Sequence, residues 1–212
     1  MLKSHKKKQL EIPPLSPQRD KAVQEWVKKI VRFHGRKAPG AIIAAYMVDL
    51  AQELLPENHG RLNAIAESRV CLADAIQIMT GLTLGNKYLW VKDSGRWALT
   101  LYERETGMGF RVAIDPKRIH AQKHPVLEGF FRGTRTYEIT PRSIQQQIVN
   151  REFLELKREI FAAWKVQVHL PVKPPLYALK LCPACGEYHR PTPDFPLCLC
   201  EAEPDLYSVI DE

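Results

Sequence analysis

Apolar residues recur along the first third of the chain with the period of a helix. Ala22, Val23, Trp26, Val27, Ile30 and Phe33 fall at helical intervals after Ser16-Pro17, an N-cap followed by proline at the first helical position, so a helix is predicted up to Gly35. Its other face carries Lys21, Lys28, Lys29 and Arg32 and belongs to solvent. After Ala38-Pro39-Gly40 a second helix runs through Ile42, Ile43, Tyr46, Met47 and Leu50 to about residue 55. It is apolar nearly all round, which predicts a central position. Residues 62–66 have the length and flanks of a short buried strand, and residues 71–79 read as a helix ending at Gly81.

Strands are then predicted at 88–91, 96–102 and 109–114, separated by Asp93-Ser94-Gly95 and Glu105-Thr106-Gly107. Glycine at each turn suits a tight hairpin, so the three read as an antiparallel meander. Residues 116–136 read as helix and loop, and Thr140-Pro141 repeats the N-cap signature before one long helix through Ile144, Ile148, Phe153, Leu156, Ile160 and Trp164. Pro171, Pro174 and Pro175 close it as a stiff linker. Helices, then strands, then helices again imply an α+β fold with helices flanking a sheet. The expected division is a mobile basic arm at 1–15, an α+β domain at 16–170, and a small module with an acidic tail at 171–212.

Charge adds an asymmetry. The 212 residues carry a formal +7, yet residues 1–40 alone hold eleven basic against three acidic side chains, a net +8, and the rest sums to −1. A basic front admits a nucleic-acid partner, although Glu201, Glu203, Asp205, Asp211 and Glu212 would repel phosphate at the other end. The longest apolar run, residues 41–48, stops at Asp49, well short of the roughly 18 residues that span a bilayer. No membrane association is expected. Pro13, Pro14 and Pro17 stand where a secretory signal would need an apolar segment, so a cytoplasmic location is expected.

Four of the five cysteines lie between 182 and 200. Cys182-Pro183-Ala184-Cys185-Gly186 is a knuckle sequence, and Cys198 and Cys200 complete a four-thiolate set suited to tetrahedral zinc. Four thiolates leave no open coordination position, so the expected role is structural. Cys198-Leu199-Cys200 is spaced so that both sulfurs reach one ion only if the chain turns there. His189 is the alternative fourth ligand.

Phe33-His34-Gly35 with Pro39-Gly40, followed by Cys71-Leu72-Ala73-Asp74-Ala75-Ile76-Gln77 and Thr80-Gly81-Leu82-Thr83-Leu84-Gly85-Asn86, resembles the FmdE family, named for the E-type subunit of formylmethanofuran dehydrogenase. The likeness runs from about residue 26 to 114, and the cysteine module is similar to the zinc finger many members carry. It implies a thioredoxin-like mixed sheet, a treble-clef or ribbon-like zinc module, a homodimer, and association with a molybdenum or tungsten oxidoreductase. Members read Phe-His-Gly-His-x-Cys-Pro-Gly where this chain has Arg36 and Ala38, so two soft ligands of the implied pocket are absent. His34, Cys71 and Asp74 remain as the candidate pocket, able to take a second metal or, with Arg36 and Lys37 beside it, an anion.

The residues alone say something related about Cys71. At the start of a helix and near Arg69, its thiolate would be favoured by the positive end of the macrodipole. His120 and His124 precede Pro125, which breaks the turn a helical metal pair would need. Trp90, Trp97 and Tyr102 read as core. Three functional classes follow: an accessory or small-ligand-binding component of an oxidoreductase, a zinc-module regulator binding nucleic acid through its basic front, and an enzyme using Cys71 as nucleophile.

Overall fold

The computed structural model describes residues 8–134 and 141–207. Helix α1 (Pro17–His34) begins where the Ser16 side chain accepts the Arg19 N–H at 3.2 Å, and it ends at Gly35 with φ of 77°. Helix α2 (Pro39–Glu53) is buried continuously from Pro39 to Ala51. Its neighbours are α1, α3 (Leu72–Thr80), α5 (Arg142–Leu156) and the sheet, which is why its composition is apolar on every face. The exception is Asp49, only 7% exposed. It accepts from Arg19 at 3.0 Å and from Arg158, whose guanidinium also reaches Glu53 at 2.6 Å. Deleting one partner of such a buried cluster costs roughly 3–5 kcal/mol, so the charges pin α1 and α2 to the segment around Arg158.

Five strands form one mixed sheet in the order β2-β1-β3-β4-β5. They are β1 (Leu62–Ala66), β2 (Leu89–Val91), β3 (Ala98–Glu103), β4 (Met108–Ile114) and β5 (Phe161–Gln167). Ala64, Ala66, Leu89, Leu99, Leu101, Val112 and Ala163 share one face by register and are buried in the core with α2 and α3. The fold is α+β with helices around a mixed sheet. Among the described residues no helix is long and apolar enough to cross a membrane.

Two expectations are corrected. The strands at 88–91, 96–102 and 109–114 do not make a meander: β2 pairs parallel with β1, through α3 as crossover, and lies two strands away from β3. Alternation reveals a strand but not its neighbour, and the connection through α3 is long enough for the parallel crossover. The turn after β2 folds over the end of β1 instead, with the Ser94 and Arg96 amides donating to Glu67 O at 3.0 and 3.2 Å. Likewise, the long C-terminal helix stops at Leu156, where Lys157 takes φ of 48°, and residues 161–167 pair along the whole of β4. Ile160 and Trp164 are four residues apart, a spacing that satisfies both the helical and the strand period.

Residues 8–15 are also not simply an arm. Leu10 donates its N–H to Ala163 O at 2.8 Å, and Leu10, Ile12 and Leu15 pack on the core. Apolar side chains spaced along an otherwise Lys- and Pro-rich stretch give it something to bury. Residues 1–7, Thr140, Asp211 and Glu212 lie outside the described residues, and α5 starts from Pro141 with no side-chain cap. Helix α4 (Pro125–Arg132) uses Pro125 as its first residue, with His124 as the capping position.

A second unit begins at Pro174. It contains a small antiparallel pair, β6 (Lys180–Leu181) and β7 (Tyr188–His189), and one helical turn, α6 (Leu199–Ala202).

Candidate functional site

In the second unit the four sulfurs of Cys182, Cys185, Cys198 and Cys200 all lie within 4.8 Å of one another. Cys182 leaves β6, and Gly186, at φ of 74°, turns the chain so that its amide bonds Cys182 O at 2.9 Å. Amides of Cys185 and Ala184 point at the Cys182 sulfur and lower its thiol to about 7, the direction that prepares a metal ligand. The Cys200 thiol is pushed up chiefly by hydrogen bonding with Cys185, because four clustered sulfurs cannot all ionise without a cation. The close spacing of the last pair is resolved by α6: Cys198 is its N-cap and Cys200 its second residue, so the backbone turns between them. Cys200 therefore joins the cluster, and His189, on β7, does not.

The first unit brings three of the sequence candidates together. His34 is the last residue of α1, and Asp74 and Cys71 lie on and just before α3. His34 Nδ1 is 2.6 Å from Asp74 Oδ2, and His34 Nε2 is 3.8 Å from Cys71 Sγ. The imidazole thus stands between carboxylate and thiol, one nitrogen for each. All three side chains are half-buried or better.

Cys71 is held in an unusual backbone. Its φ of 41° and ψ of −43°, with the Leu72 N–H donating to Val70 O, make a γ-turn of the strained positive-φ kind at the junction from β1 into α3. The sulfur rests on the first turn of α2. A Cβ at Gly40 would lie 2.8 Å from Sγ and 2.6 Å from Trp97 Cη2, so only glycine leaves space for both. Trp97 in turn stacks edge-on with Phe131 and tilted on Phe130, each at 5.6 Å between centroids.

Electrostatics oppose the expectation of a low thiol pKa. Burial first, then the Asp74 charge, push the Cys71 thiol up to about 11, and Arg36 only partly offsets them. Arg69 does not help, being paired with Asp93 at 3.1 Å. Lys37 is not part of this site either: it lines a surface groove with Gln147, Asn150 and Arg151 of α5. Among the described residues, the cysteine cluster is the group of three or more ligands whose donor atoms converge.

Gly40 and Trp97 were not legible as site residues. A Pro-Gly pair at a helix start ordinarily reads as a turn signal, and Trp97 reads as core; their contact with Cys71 joins segments about thirty residues apart. His124 is buried and 3.3 Å from Glu155, a structural pairing rather than half of a histidine pair.

Comparison with known proteins bears on both sites. The family model described as "FmdE, Molybdenum formylmethanofuran dehydrogenase operon" matches residues 33–162, a span that contains His34, Cys71 and Asp74. The crystal structure of a tungsten formylmethanofuran dehydrogenase FmdE-like protein from Syntrophus aciditrophicus superposes with a TM-score of 0.64 at 33% identity, covering 88% of this chain and 95% of that one. A curated "Probable S-adenosyl-L-methionine-binding protein" of Archaeoglobus fulgidus is 28% identical over 168 residues, which is 73% of this chain and 46% of the relative. The chain thus spans about half the length of that relative.

Proposed function

The chain belongs to the FmdE family, and from that membership we propose that it is an accessory, small-ligand-binding component of a molybdenum- or tungsten-dependent oxidoreductase of the formylmethanofuran dehydrogenase type. One observation carries the ligand-binding part: the two motif segments meet, so that His34, Asp74 and Cys71 form a half-buried polar cluster lined by Gly40 and Trp97. Arg36 is the one basic residue at 36–37 that stays in electrostatic reach of it. S-adenosylmethionine, the ligand named for the Archaeoglobus relative, is the first small molecule to test.

In this reading the second unit holds zinc in a structural role. Four thiolates in a closed tetrahedral set suit zinc, and the ion replaces a core that about forty residues cannot build. The protein works in the cytoplasm as a homodimer. The basic front is not reserved for phosphate: Arg19 is committed to Asp49 and Glu53, and Lys28 to Glu25.

The test is co-purification of the tagged full chain from its own cells, with calorimetric titration of S-adenosylmethionine in parallel. Recovery of a molybdenum or tungsten oxidoreductase component supports the reading. Nucleic acid retained in its place, with an affinity falling steeply in salt, would replace it by the regulator.

A further inference from the structure

We propose that Cys71 is a nucleophile activated by His34 and Asp74, and that the site accepts the acyl group of a small ester or thioester. The inference rests on reading this cluster as a small-ligand pocket and assigns that pocket a chemistry. Three features point to it. The carboxylate–imidazole–thiol order is linear, at 2.6 and 3.8 Å, with each ring nitrogen facing one partner. Positions 36 and 38 are Arg and Ala, and Asp74 faces the ring nitrogen away from the thiol, so of these three side chains only His34 Nε2 and Cys71 Sγ face each other, two donors where a closed metal site takes four. Finally, the sulfur sits at a strained turn just before α3, against the first turn of α2 and so at the positive end of that helix.

The chemistry follows from the geometry. Asp74 Oδ2 accepts a hydrogen bond from His34 Nδ1–H, which leaves the Nε2 lone pair facing the thiol. As Sγ bonds to the acyl carbon, Nε2 takes the thiol proton and the carbonyl electron pair moves onto oxygen. An oxyanion formed beside the first turn of α2 is at the positive end of that helix. Collapse breaks the bond to the alkoxide or thiolate leaving group, which takes the proton from Nε2. The products are a thioester on Cys71 and a neutral alcohol or thiol; no oxidant or reductant is consumed. Water, or a second acceptor, removes the acyl group by the same steps in reverse order. A base is needed here because burial and Asp74 keep the thiol protonated at neutral pH, with Arg36 the one opposing charge.

The experiment uses the metal-loaded full chain and 4-nitrophenyl acetate, following nitrophenolate release and the mass of the protein. The expected result is a burst of one acetyl per chain, mapped to Cys71 and absent in Cys71→Ser. Acylation should slow by about 10²-fold or more in His34→Ala, the loss of a general base, and by at least about tenfold in Asp74→Asn. The pH profile separates a base from a mere packing role. In His34→Ala the rate should climb with hydroxide toward the thiol's own ionisation at about 11, whereas in the wild type it should level off well below that. If His34→Ala proves unstable, His34→Gln gives the same readout with an uncharged side chain of similar size. Acetyl on the cluster cysteines or lysines instead of Cys71, or equal rates with and without His34, overturns the proposal. Loss of acylation chemistry with the oxidoreductase still bound would remove this inference and leave the accessory reading, and the opposite pattern would do the reverse.

Discussion

Replacing Gly40 by alanine asks whether the Cys71 sulfur and Trp97 really close on the start of α2. The added methyl would stand 2.6 Å from Trp97 Cη2, 2.8 Å from Cys71 Sγ and 3.3 Å from Cys71 Cβ. Carbon contacts are optimal at roughly 3.5–4.0 Å, so two neighbours must each retreat by nearly 1 Å. Neither retreats freely: Trp97 is wedged between Phe130 and Phe131, and Cys71 is fixed by its γ-turn. Overpacking of this kind costs typically about 1–3 kcal/mol, against up to about 1 kcal/mol gained from alanine's helix propensity. The net expectation is a loss of about 1–2 kcal/mol, which for a chain of this size lowers the melting temperature by about 2–8 °C. Urea unfolding followed by tryptophan fluorescence measures it. Gly85→Ala is the control, since a Cβ there would meet only Thr83 Oγ1 at 3.8 Å and should change little. Trp97→Leu should partly rescue the Gly40→Ala variant, a coupling that reports direct contact. A Gly40→Ala protein as stable as the wild type, or more so, would refute the packing described for this site.

Chelation of the purified protein should release one metal ion per chain and open the region after Pro174 to proteolysis while leaving the sheet unit resistant; mass spectrometry of the fragments checks it. Acid should destabilise the sheet unit through Glu67. Burial raises this carboxyl, but the guanidinium of Arg111, at 2.6 and 2.9 Å, outweighs it and holds the carboxyl below its ordinary 4.5. Its stabilisation is therefore complete above pH 4.5 and is lost as pH falls through the lowered folded value. Denaturation midpoints measured between about pH 6 and 3 should fall less steeply in Glu67→Gln than in the wild type.

Much of the first unit is written in local signals. Ser16-Pro17 and Gly35 bound α1 because a cap, a preset φ and a left-handed residue act within a few positions. The all-round apolar pattern of residues 39–51 makes α2 central, since a helix without a polar face has to be covered. The cysteine spacings likewise announce the four-sulfur cluster. Strand neighbours and the end of α5 were not readable, because parallel pairing across α3 is a long-range choice and a four-residue spacing suits two periods. The site divides the same way. His34, Cys71 and Asp74 could be picked out as residue types in motif segments. Their order as carboxylate, imidazole and thiol, the exclusion of Lys37, and the upward push on the Cys71 thiol depend on where α1 ends relative to α3 and on how deeply the sulfur is covered. A macrodipole argument from sequence pointed to a reactive thiolate; burial, which no linear pattern measures, outweighs it.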